Sequence, residues 1–133
     1  TVNLASRLEG ANKIYGTKII VTAETVALAS NEIAFRELDL ITVAGRTEPV
    51  HIYEVLGTKD ALDPSDSSLR DAFARGLEAY RAQDWAQAER QFQLCLELNP
   101  KDGPARTFAG RIAQFRHEPP PPGWDGVWRL ADK

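Results

Sequence analysis

The chain has 133 residues, 43% hydrophobic and 26% charged, the proportions of an ordinary soluble globular protein with one domain or two small ones. Sixteen basic side chains against nineteen acidic ones leave a formal charge of −3, which supplies no basic footprint for DNA or RNA. One cysteine, Cys95, excludes an intrachain disulfide framework and a multi-cysteine zinc cluster, and His51 and His117 lie too far apart in sequence to suggest a histidine-rich metal site.

No window approaches the run of about 18 apolar residues that a membrane helix needs, and no secretory signal opens the chain. It begins Thr1-Val2-Asn3 with no methionine, and an amphipathic pattern is already running there. The expectation is a piece cut from inside a longer protein, itself cytoplasmic and without membrane contact, whose anchor or targeting signals would lie upstream.

In chain order, Val2, Leu4, Ala5, Leu8, Ala11 and Ile14 trace one face at helical spacing, and Gly16 fits a helix stop. Lys18-Ile19-Ile20-Val21 reads as a short buried strand. A second helix can start near Thr22 and Thr25, both candidate caps, and run through Ala29. Phe35 to Val43 and Val50 to Val55 are β-rich runs joined through Gly45-Arg46-Thr47-Glu48-Pro49. Helix, strand, helix, strand, strand is the order of part of an α/β or α+β sandwich. Glu9, Lys13 and Lys18 read as solvated positions, and His51 as pointing to solvent or to a dimer partner.

The segment from Gly57 to Ser68, with Pro64 and several Ser and Asp residues, has linker composition. Beyond it, residues 69–116 are rich in good helix formers. A further helix is expected from Pro104 to about Arg116, with Phe108, Ile112 and Phe115 on one face. Pro119-Pro120-Pro121-Pro122 predicts an extended segment leading into Gly123-Trp124-Asp125-Gly126-Val127-Trp128. Two tryptophans there either dock on the helices or serve as a ligand for a partner's groove. Cys95 reads as a small core residue.

Asn3 and Arg7 stand at i and i+4, one turn apart on a shared helix face. An amide beside a guanidinium fork suits a sugar and a phosphate group; two solvated residues near a helix start are the plainer reading. The string Thr1-Val2-Asn3-Leu4-Ala5-Ser6-Arg7-Leu8-Glu9-Gly10-Ala11, continuing through Tyr15-Gly16-Thr17-Lys18-Ile19-Ile20-Val21-Thr22, resembles the class III nucleotide cyclases. So does Ile41-Thr42-Val43-Ala44-Gly45-Arg46-Thr47-Glu48-Pro49-Val50 with Tyr53-Glu54-Val55, which is similar to the closing hairpin of that catalytic domain.

The resemblance covers residues 1 to about 57. It implies the C-terminal half of a ferredoxin-like domain that converts ATP or GTP to the cyclic nucleotide and pyrophosphate. Asn3 would position the ribose and Arg7 would stabilise charge on the phosphates. The family's site forms between two protomers, so a homodimer is implied, and this piece would be inactive alone. Two Mg2+ or Mn2+ ions would be bound by aspartates upstream of Thr1. Where the family often has a lysine for the phosphates this chain has Ala44. Arg46 is either a substitute cation or a solvated turn residue.

Gly76, Trp85, Ala88, Phe92, Cys95 and Pro100 resemble one degenerate tetratricopeptide repeat, with Tyr80 one place off and Arg75 where leucine is common. The fold expected is therefore α+β over 1–57, a linker over 58–68, a tetratricopeptide-like all-α segment over 69–118 and a Pro- and Trp-containing tail over 119–133. The same order resembles the C-terminus of certain bacterial membrane-anchored cyclases. Alternatives are a degenerate regulatory cyclase-like domain and a protein-interaction module acting through the helices.

Overall fold

The computed structural model describes residues 2–42 and 48–130, and the side chains from residue 8 onward. Those residues form a mixed α/β structure with a four-stranded sheet and five α-helices: α1 (Val2–Tyr15), β1 (Ile20–Thr22), α2 (Ala23–Ala29), β2 (Ile33–Thr42), β3 (Val50–Thr58), α3 (Pro64–Arg81), α4 (Trp85–Leu98), α5 (Gly103–His117) and β4 (Trp128–Arg129). They divide into two compact units, Thr1–Leu62 with Val127–Lys133, and Asp63–Gly126. No helix among the described residues is long and apolar enough to cross a membrane.

In the first unit α1 buries Leu8, Ala11 and Tyr15, whereas Ile14, expected on the buried face, is 46% exposed. The buried line follows i and i+4 from Ala11 to Tyr15 rather than i+3 to Ile14. Gly16 ends the helix at φ +70, and its N–H and that of Thr17 both reach the Asn12 carbonyl, at 2.8 and 3.0 Å. Thr22 occupies the N-cap of α2, but its hydroxyl makes no capping bond, and Thr25 lies inside the helix.

The sheet order is β1-β3-β2-β4. β1 and β2 flank β3 in antiparallel pairing. Two register shifts interrupt the β2–β3 ladder. One places Leu38 out of pairing, so Leu38 and the next residue, Asp39, are both buried and the in–out alternation changes phase. The other falls at Leu56, beside Gly57, whose φ of +131 suits only glycine. β3 runs three residues past the expected Val55 because this bulge absorbs the kink instead of ending the strand.

The 58–68 stretch is structured rather than an open linker: β3 ends at Thr58, a 3-10 turn covers Lys59–Ala61, and α3 starts at Pro64. Asp63 and Asp66 form a capping box in which the Asp63 carboxylate accepts the Asp66 N–H at 3.0 Å and the Asp63 N–H reaches Asp66 Oδ2 at 3.3 Å. Pro64 fills the first helical position. Residues that look like linker punctuation are the first turn of a helix.

In the second unit α3 packs on α4, and α4 on α5. The α3–α4 turn is a Schellman motif: Asp84 N–H bonds the Ala79 carbonyl at 2.9 Å, and Gln83 N–H bonds Tyr80 at 3.0 Å. Gln83 holds the left-handed position at φ +60. Phe73, Phe92 and Phe108 meet with centroids 5.2–5.6 Å apart and, with Cys95 and Ile112, are fully buried. Gly76 leaves room for Phe92, because a Cβ there would stand 2.7 Å from the ring. Arg75, exposed, hydrogen-bonds Gln91 at 3.0 Å.

The proline run ends in a turn: Trp124 N–H bonds the Pro121 carbonyl at 3.2 Å, with Pro122 and then Gly123 at φ +80 in the corner positions. This swings Trp124 onto Tyr80, Trp85 and Phe115, at centroid distances of 5.3, 6.0 and 5.3 Å. Trp128 does something else. It enters the sheet, where β4 pairs parallel with the end of β2.

Candidate functional site

The backbone of α1 carries positions 3 and 7 within one continuous helix, one turn apart as their spacing requires. The side chains of Asn3 and Arg7 lie outside the described residues, as do Ala44 and Arg46 entirely. What is described is how the second half of that helix is held. Leu8, Ala11 and Tyr15 seat it on the sheet. The Tyr15 hydroxyl donates to Asp39 Oδ2 at 2.6 Å in a buried setting, and Asp39 Oδ1 accepts the Leu40 N–H at 2.8 Å. A buried carboxylate holding two donors is a stiff anchor.

Beside it, Arg36 is buried on β2 and its Nε donates to Glu54 Oε1 of β3 at 3.0 Å, with a second contact from its terminal nitrogen. The two residues are direct register partners, so the ladder aligns the ion pair. On β3, His51 is exposed and its Nδ1 lies 2.7 Å from Glu37 Oε2. The pair is diagonal across the ladder, since Glu37 registers with Tyr53, two positions along β3 from His51.

A groove of about 410 Å³ opens between the second half of α1, β1 and the start of α2, lined by residues that include Glu9, Asn12, Lys18, Thr22 and Thr25. Asn12 is tied down there: its carbonyl oxygen Oδ1 accepts the Thr17 hydroxyl at 2.8 Å. At 3.6 residues per turn, positions 3 and 12 fall half a turn apart. The groove thus lies on a different flank of α1 from the Asn3 and Arg7 positions. Lys18, expected as a solvated position, and Thr22 and Thr25, expected as caps, line this groove together with Asn12. Among the described residues no group of three or more His, Cys, Asp or Glu could hold a metal ion.

No family model matches the chain, and no solved structure matches it. Two curated relatives do. The chain is 32% identical over 117 residues to "Adenylate cyclase, terminal-differentiation specific" of Dictyostelium discoideum, an alignment covering 85% of this chain and 6% of that protein. It is 40% identical over 67 residues to "Adenylate cyclase 1" of Rhizobium meliloti (strain 1021), covering 50% of this chain and 10% of that protein. The chain spans a tenth or less of the length of these relatives, and the similarity supports a cyclase-related family.

Proposed function

We propose that the chain is the C-terminal half of a class III nucleotide cyclase catalytic domain within a longer protein, followed by a repeat-like helical appendage. In the reaction, the ribose 3′-oxygen of ATP or GTP attacks the α-phosphorus. The bond from that phosphorus to the bridging oxygen breaks, and pyrophosphate leaves with the cyclic nucleotide formed. Asn3 orients the ribose by donating and accepting hydrogen bonds. Arg7, one turn on, neutralises charge that builds on the phosphates. Two divalent cations would add further charge neutralisation, held by carboxylates outside this chain. The substrate-side wall supplied by α1 needs its complement from a second protomer.

The observation that carries this reading is the α1 helix itself, continuous over Val2–Tyr15 and pinned at its far end by Tyr15 on Asp39. A pinned helix holds positions 3 and 7 in a constant relation to the sheet, which is what positioning catalysis requires. The relatives named adenylate cyclase support the same assignment. For the three-helix unit, Gly76 seated against Phe92 supports a tetratricopeptide-like packing, and with it a protein-binding role.

The test is a cyclase assay on the complete protein, with ATP and GTP offered separately and Mg2+ or Mn2+ present. One nucleotide should yield cyclic product. Arg7→Ala should lower kcat by about 100-fold while KM changes little, since the contact matters in the transition state. Absence of product from either nucleotide overturns the reading, and unchanged turnover in the variant removes the role given to Arg7.

A further inference from the structure

We propose that the segment Val127–Leu130 is a strap that holds the end of β2 in place, so that the C-terminal tail controls the order of the β2–β3 pair. Ile41 and Thr42 are the last residues of β2. On one side Ile41 pairs with Val50 of β3. On the other side both residues pair with the tail, Ile41 with Trp128 and Thr42 with Arg129, and the Leu130 N–H donates to the Thr42 carbonyl at 2.9 Å. Leu130 is buried in its place. The end of β2 is thus an inner strand because the tail returns to it.

Three features make this a strap rather than an ordinary edge strand. It is two residues long and runs parallel, so few hydrogen bonds hold it and it can open without the rest of the sheet. Its approach is preset, because Gly126 at φ +83 turns the chain immediately before it. Its upstream end is moored, since Trp124 lies among Tyr80, Trp85 and Phe115 of the helical unit. As a control of turnover this rests on the cyclase reading above; as a control of strand order it does not.

The experiment compares the complete protein with a version ending at Gly126 and with Leu130→Asp, by amide hydrogen exchange and cyclase kinetics. In both variants protection over residues 38–42 and 50–52 should fall about tenfold or more, with α3 and α4 unchanged. Turnover should fall at least about threefold at unchanged KM, and adding a peptide of residues 119–133 to the truncated protein should restore part of the protection. Unchanged protection over residues 38–42 and 50–52 overturns the strap. Protection lost equally across α1 and all strands also overturns it, because β4 would then be a general stability element. Protection lost with turnover unchanged overturns the control of catalysis. If the complete protein makes no cyclic nucleotide, the cyclase reading fails, while the exchange data still decide the strap.

Discussion

Tyr15 and Asp39 show how much one buried pair can settle. They lie 24 positions apart, and their 2.6 Å hydrogen bond joins α1 to the middle of β2 with both side chains out of water. Removing the donor takes one hydrogen bond from a buried carboxylate, which costs about 1–3 kcal/mol. Tyr15→Phe should therefore lower unfolding stability by that amount, read as a shift in urea midpoint at constant slope. An unchanged midpoint would show that Asp39 finds another donor at no cost. The pair itself is not legible in the sequence: Tyr15 belongs to the cyclase-like string beside a helix stop, and nothing local links it to Asp39. Asn3 and Arg7 are the opposite case, since a local i, i+4 spacing within a distinctive string makes them visible without any fold.

At the scale of elements, helix ends and helix contacts each yield a test. The Asp63 carboxylate is held below its ordinary 3.8 by the Ser65 hydroxyl first and the Asp66 N–H second. Its folded value is depressed, so its contribution is present above 3.8 and is lost as pH falls through the folded value. Between about pH 5 and about pH 3 the protein should lose more thermal stability than Asp63→Asn, which keeps a capping acceptor but does not titrate. Equal losses would mean that the box adds nothing pH-dependent. Between helices, Gly76→Ala would place a Cβ 2.7 Å from Phe92 Cε1, and that ring is already stacked on Phe108 and edge-on to Phe73. The cost should be about 1–3 kcal/mol, partly recovered by adding Phe92→Leu. A wild-type melting temperature in the single variant would show that α3 and α4 separate freely.

Elements were also where sequence reading was most uneven. The helical character of residues 85–98 is legible from their good helix formers, whereas the Asp84 cap that starts the helix at Trp85 is shown by the structure. The start of α3 was not legible, because Asp, Pro and Ser serve equally as loop residues and as a capped first turn. Bulges at Leu38 and Leu56 carry no local signature, so the length of β3 and the double burial of Leu38 and Asp39 could not be read.

For the whole molecule, the sequence by itself determined the mixed composition of the chain, a sheet-containing first part and a helical second part, and the positions that carry the cyclase resemblance. These depend on residues close together in sequence: periodicity, caps, turns and a short motif. Tertiary structure alone decided that Trp124 and Trp128 part company, one going to the helical unit and the other to the sheet. It also decided that Tyr15, through its bond to Asp39, rather than Ile14 faces inward. The physical reason is the same in each case. A hydrogen-bond partner or an empty strand edge is supplied by distant residues, and no local pattern encodes who will be next to whom once the chain has closed on itself.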